Sequence, residues 1–298
     1  MDGGERAVGW FDDNLVPAVD GVAYGLLLFV VAAGLTLAFG SGGVLNLAHG
    51  TLYAFAAYTA ASVADGSWVG LVLAVLAGVA AGAAGGGVLA ALTAPVAGRG
   101  HLAQAMLTFG VALIGADLLT GVFGAGDPLV RVPGALEEPV SILGHNYPGY
   151  RLAFIVVALV LGAGGWYVLA RTRIGAAVRA SVDDPEMLAA GGVSPGVVRV
   201  GVLVAAGALA GLAGGLGAPI IGPSTSVADT VLVQSLLVVV IGGLGSVGGA
   251  LLAAILVGEV QTLGVTLLPD VAPYLLFATM AAMLIARTVR YGPTGSRT

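Results

Sequence analysis

The chain has 298 residues, of which 58% are hydrophobic and 9% charged, with a formal net charge of -5. A soluble domain carries about 25% charged residues, so this composition cannot cover a globule and indicates a polytopic membrane protein. All 11 basic residues are arginine and there is no cysteine, which excludes a Walker A loop, lysine Schiff-base chemistry, disulfides, thiolate nucleophiles and cysteine zinc sites.

His49, His101 and His145 are spread too thinly for a metal site, and the acidic balance argues against nucleic acid. No cofactor is expected, and any energy source must be an ion gradient or another polypeptide. Apolar runs that suit helical crossing fall near 18–40, 50–64, 68–93, 102–123, 151–170, 197–221, 229–246, 247–268 and 271–288. The second and seventh are short enough to be broken or re-entrant. The expected fold is all-α, with about eight or nine transmembrane helices, and the continuous runs argue against a barrel.

Arginine placement orients this set through the positive-inside rule. With the N-terminus outside, Arg99, Arg171, Arg173, Arg179, Arg199, Arg287, Arg290 and Arg297 fall on the cytoplasmic side. Arg6 and Arg131 fall outside, with Arg151 at a helix edge, among most of the acids. The N-terminal stretch lacks a charged n-region with a cleavage site and reads as retained. The domain reading is an acidic external tail over 1–17, one transmembrane domain over 18–290, and a cytoplasmic tail over 291–298.

Glycine supplies 50 residues, concentrated inside the apolar runs. Examples are Gly78–Gly82–Gly85–Gly86–Gly87 and Gly207–Gly211–Gly214–Gly215–Gly217, where spacing of four puts glycines on one face and suits close helix packing. The doublets Gly242–Gly243 and Gly248–Gly249 bracket an expected break in the chain. The loop 124–150 is proline-rich and mildly acidic, either a solvated connector or a docking surface on the outer side.

The segment 171–199 reads RTRIGAAVRASVDDPEMLAAGGVSPGVVR. Asp183 or Asp184 can cap a short helix that starts at Pro185, with Glu186 in its first turn. Gly191-Gly192 ends that helix, and Ser194-Pro195 starts the next. One to two turns of amphipathic helix, Pro185 to Ala190, are therefore presented between two spans on the cytoplasmic side.

Three segments in order resemble the permease subunits of branched-chain amino acid ABC importers, the first of the two paired types. They are GVAYGLLLFVVAAGLTLAFGSGGVLNLAHG with Asn46-Leu47-Ala48-His49-Gly50, the RTRIG…Asp184-Pro185-Glu186…Gly191 loop, and VVVIGGLGSVGGALLAAILVGEVQTLG with Glu259. The resemblance runs from about Gly21 to Arg290. It implies a translocation path formed with a second permease subunit in the lipid bilayer, two separate ABC ATPases that bind the ATP, and an external substrate-binding protein. It also implies that the 171–199 loop couples to the ATPases through Arg179, Asp184, Pro185, Glu186 and Gly191. Ala176-Ala177 stand where the family often has a further basic residue.

Ionisable and polar groups inside spans are path or gate candidates because burying them is costly. Asp117 and Glu259 lie within spans. Asn46, His49, Thr108 and Gln234 join Glu259 as candidates for the path or gate, each with a bland alternative as a cap or structural brace. Branched-chain amino acids are the expected substrate. The alternatives are the same architecture carrying urea or short amides, and an ion-coupled secondary transporter. No HExxH or GxSxG occurs, and the chain is not expected to be an enzyme.

Overall fold

The computed structural model describes residues 3–142, 144–243 and 246–290. The first helix, α1, runs Gly3–Gly40 with Pro17 inside it, so the stretch expected as a tail is helical from Gly3 and continuous with the first apolar run. At its end the chain turns sharply. Ser41 N and Gly42 N both donate to Leu37 O, Gly43 takes φ +64°, and Val44 N donates back to Ala38 O. Residues 41–48 therefore double back along α1 without regular structure, and α2, His49–Val63, starts beside Val31 and Gly34 rather than at the end of α1. That is why α2 needs 15 residues where its neighbours need more than 20: the irregular strand has already covered part of the depth.

Helix α3, Trp68–Thr93, starts at Ser67, whose hydroxyl accepts from Gly70 N, and continues through a 3-10 turn, Ala94–Arg99. Just before it, Asp65 accepts from Ser67 N. Its carboxyl is held below the ordinary value by hydrogen bonding to Ser67, side chain first and then backbone. Helix α4 spans His101–Phe123. The loop that follows is built rather than loose: a single turn α5, Gly134–Glu137, precedes an antiparallel hairpin, β1 Pro139–Ile142 and β2 His145–Pro148. The remaining helices are α6 Gly149–Arg171, α7 Arg173–Asp183, α8 Pro185–Ala190, α9 Pro195–Gly217, α10 Val227–Gly242, α11 Val247–Leu267 and α12 Ala272–Arg290. Leu244 and Gly245, at the centre of the expected break, and the expected tail 291–298 lie outside the described residues.

Each of the apolar runs has its helix. Among the described residues, six helices are long and apolar enough to cross a membrane: Asn14–Gly40, Trp68–Arg99, His101–Phe123, Gly149–Arg171, Pro195–Gly217 and Val247–Leu267. Helix α10 and the apolar part of α12 are shorter, as is α2.

In lipid, apolar side chains gain little by associating, so helices pair where their backbones can approach. The α3–α9 contact is the most extensive in the molecule and is a seam of glycines. Gly78 meets Gly211, Gly82 meets Gly207 and Gly211, and Gly86 meets Leu203 O; the falling partner numbers make the pair antiparallel. A second antiparallel seam joins α1 to α11, where Gly25 meets Ala254 and Gly258 meets Gly21. Helix α1 stands at the centre and touches α6, α9, α10 and α11. Its Leu26, Leu27 and Val30 share one buried cluster with Tyr53 and Ala57 of α2 and Ala213 of α9. The outward faces of α3, α4 and α6 instead expose large apolar side chains such as Val72, Leu76, Phe109, Leu113 and Val160, as lipid-facing surfaces do.

Candidate functional site

The first group of predicted site residues comes together where the chain is irregular inside the bundle. Backbone without helical bonds at membrane depth has to be satisfied by protein, and α4 supplies the partner. The Thr108 hydroxyl, fully buried, shares its proton between Leu45 O at 2.9 Å and Ala105 O at 3.0 Å, and accepts from Leu47 N at 3.1 Å. Asn46, 2% exposed, accepts from Ala48 N at 3.1 Å through Oδ1, and its carbonyl accepts from His49 N. His49 points the other way, toward α1: Nε2 lies 3.0 Å from Val31 O. A carbonyl can only accept, so Nε2 carries the proton in that contact, and Nδ1 has no hydrogen-bond partner among the described residues. The Asn-Leu-Ala-His-Gly signature thus has a local physical purpose. Asn46 turns the chain, His49 fastens the start of α2 to α1, and Gly50 lets α10 approach, since a Cβ there would strike Ala228 O.

Gln234 and Glu259 do not join that group. Both face α1 one turn apart. The Tyr24 hydroxyl donates to Gln234 Oε1 at 2.5 Å, and the Glu259 carboxyl lies against Gly21 beside the Thr262 hydroxyl. Tyr24 and Glu259 are partly exposed, so this polar line along α1, α10 and α11 reaches the surface of the chain, whereas Asn46, His49 and Thr108 do not. Asp117 is exposed on α4.

The third group is the loop between α6 and α9. Helix α7 folds back on the last turn of α6 at a tight corner. Thr172 accepts from Gly175 N at 3.3 Å and donates to Val168 O at 2.6 Å, and Arg179 donates to Leu169 O, one of the carbonyls that the end of α6 leaves free. Gly175 has to be glycine here because a Cβ would collide with the carbonyls of Val168 and Leu169. Helix α8 follows as its own unit. Asp184 caps it by accepting from Met187 N at 2.8 Å, Pro185 fills the first position, and Glu186 sits exposed in the first turn. Gly191 N donates to Met187 O, and Gly192 takes the left-handed conformation, φ +84°. Met187, at 74% exposure, projects outward.

At the opposite end of the molecule a cluster that sequence reasoning missed ties the hairpin down. Tyr147 of β2 donates to Asp20 Oδ1 at 2.7 Å, and Asp20 also pairs with Arg151. Burial, and then the bond to Asp20, push the Tyr147 phenol above its ordinary value. Nothing in the spacing of residues 20, 147 and 151 could have signalled this; only the parallel packing of α6 beside α1, with Asp20 against Arg151 and Phe29 against Gly162, brings them together. No group of three or more histidine, aspartate or glutamate residues suited to a metal occurs among the described residues.

A largely α-helical chain with, among the described residues, six helices long and apolar enough to cross a membrane, an irregular polar turn inside the bundle and a capped helix standing clear of it is a multi-pass membrane protein. Residues 18–286 match the family model for the permease component of branched-chain amino acid transport systems, and the chain belongs to that family. A relative from Methanocaldococcus jannaschii, the probable branched-chain amino acid transport permease protein LivH, is 26% identical over 254 residues, covering 81% of this chain and 78% of its own. No solved structure matches. The chain is a transport component and not an enzyme.

Proposed function

We propose that the chain is one permease subunit of an ATP-binding-cassette importer in the plasma membrane. It pairs with a second permease, is driven by two separate ATPase subunits that bind the ATP, and takes branched-chain amino acids from an external binding protein. The observation that carries this reading is α8: a separately capped helix, free of the bundle along Pro185–Met187 and joined to α6 through the rigid α7 corner. Within a family of transport permeases, such a helix is suited to sit in a groove of a motor subunit and carry its movement to α6 and α9 as a rigid body. Gly191 and Pro185 set its ends, Asp184 holds its cap, Glu186 and Met187 face the partner, and Arg179 locks the lever to α6. Gln234 and Glu259 line the path with Tyr24, while Asn46, His49 and Thr108 hold the re-entrant turn that shapes it. In this reading the chain crosses eight or nine times at about 20 residues per full span, the short α2 and α10 being completed by irregular chain, and the placement of the arginines sets the N-terminus outside.

The deciding experiment purifies the tagged chain in mild detergent from its native membrane, with and without Glu186→Lys and Met187→Glu, two changes that spare the cap. Recovery of a second permease together with Walker-containing ATPases, and loss of the ATPases alone in the variant, is the expected result. A clean homo-oligomer without any ATPase overturns it and turns attention to ion-coupled flux through Glu259.

A further inference from the structure

Two cavities at the arginine-rich end meet and are unlike in character. The first, about 510 Å³, is a groove between α1, α6, α7 and α11, walled by Phe29, Ala33 and Leu37, by Trp166 and Leu169, and by Val247. The second, about 420 Å³, is a cup formed by the turn Ser41-Gly42-Gly43, Ser181 at the end of α7, and Gly196 and Arg199 at the start of α9. Gly40, Ser41 and Val182 belong to both linings, so the groove adjoins the cup that Arg199 lines.

The charges divide in the same way. Arg179 and Asp183, one helical turn apart on α7, both line the groove and cancel there, and Arg179 is already engaged with Leu169 O. In the cup Arg199 is the one charged residue of the lining. Its guanidinium makes a single long contact of 3.4 Å to Thr93 O, and among the described residues the one ion pair lies at the other end of the molecule, between Arg151 and Asp20. Arg199, a five-donor cation with one long hydrogen bond, therefore lines the cup at the end of a mostly apolar slot that opens between helices. Basic pockets between transmembrane helices on the cytoplasmic side suit anionic lipid headgroups, which that leaflet carries.

We propose that this composite cavity is a binding site for one anionic phospholipid, with an acyl chain in the α1–α6–α11 groove and the phosphate of the headgroup on Arg199. The occupant would touch at once the Gly40–Gly43 turn that leads into the Asn46–His49 segment and both helices that flank α8. Lipid composition would thereby bear on how firmly the coupling loop is held against α1.

The test is native mass spectrometry of the delipidated full chain titrated with phosphatidylglycerol or phosphatidylcholine, and it reads lipid occupancy whether or not any ATPase co-purifies. The wild-type chain is expected to bind its first phosphatidylglycerol about fivefold more tightly than phosphatidylcholine, the factor one surface arginine supplies. Arg199→Gln should remove that preference, and Arg99→Gln, an exposed arginine at the same end, should keep it. Ala33→Phe, which fills the slot without altering charge, should lower occupancy by both lipids. Equal affinity for the two lipids in the wild type overturns the proposal, as does a preference that survives Arg199→Gln. Arg199-dependent binding of inorganic phosphate that competes with no lipid and is indifferent to Ala33→Phe also overturns it, by showing a soluble-anion site instead.

Discussion

Thr108 is one hydroxyl that serves two backbone groups of chain that cannot serve itself, Leu45 O and Leu47 N, besides Ala105 O of its own helix. Replacing it with valine keeps the shape and leaves Leu45 O and Leu47 N unsatisfied at membrane depth, each a buried polar group worth about 1–3 kcal/mol when orphaned. Thr108→Val is therefore expected to lower the unfolding temperature in detergent by several degrees and Thr108→Ser to lower it little; equal shifts would show that the methyl matters more than the hydroxyl. Tyr147 makes a pH prediction with a definite sign. Burial and the Asp20 bond raise its phenol above the ordinary 10.0, so the neutral form is favoured by folding. Its contribution is complete below pH 10 and is lost as the pH rises beyond that, because the unfolded chain ionises first. Thermal unfolding at pH 8 and pH 10.5 should show a loss of stability at the higher pH that Tyr147→Phe diminishes. Asn46 and His49 were legible as special from the sequence because polar residues in an apolar run are expensive. Their partners were not: Val31 O for His49 and Ala48 N for Asn46 are backbone atoms that no side-chain pattern marks.

Among the elements, the glycine seams were readable and the corners only partly so. Spacing of four placed Gly78, Gly82 and Gly86 on one face, and α9 indeed lies against that face. The same reading could not separate those positions from glycines that touch nothing, since both occur in apolar helices. Contact makes the distinction measurable. A Cβ at Gly82 would meet the carbonyl of Gly207, which cannot move without breaking α9, whereas one at Gly110 on α4 meets nothing within 4 Å. Gly82→Ala is expected to cost about 1–3 kcal/mol through overpacking, and Gly110→Ala to be neutral or to stabilise by up to about 1 kcal/mol through helix propensity. Detergent unfolding of the two single variants against wild type decides it. The cap at Asp184 and the stop at Gly191-Gly192 were legible because caps are local. The back-folded α7, with Gly175 wedged against α6, was not, since RTRIG specifies a close approach only once α6 is in place. The α5–β1–β2 loop was hidden for a related reason: its anchor is Asp20, more than a hundred residues away in the chain.

For the whole molecule, the uneven charge is the main unexploited handle. Arg99, Arg171, Arg173, Arg179 and Arg199 gather at the end where α1 turns back, while Asp20, Asp65, Arg131, Glu137 and Arg151 lie at the other. In the orientation proposed above, set by the positive-inside rule, the first end faces the cytoplasm, which would put α8 where a motor subunit could reach it and the β1–β2 hairpin where a solute-delivery protein could. Absence of cysteine makes this directly checkable, because every introduced thiol is the sole one. Glu186→Cys on α8 and Glu137→Cys beside the hairpin are both exposed and take part in no packing seam. A membrane-impermeant maleimide applied to intact cells should label the cysteine at 137 at once and the one at 186 only after permeabilisation. The reverse pattern would invert the topology, place α8 outside and remove the physical basis for coupling to a cytoplasmic ATPase, however many family features the sequence carries. Labelling of both in intact cells would instead mean that α8 is reached through an open aqueous path, and the depth of that path could then be followed by moving the thiol to Thr262 and Tyr24 along α11 and α1.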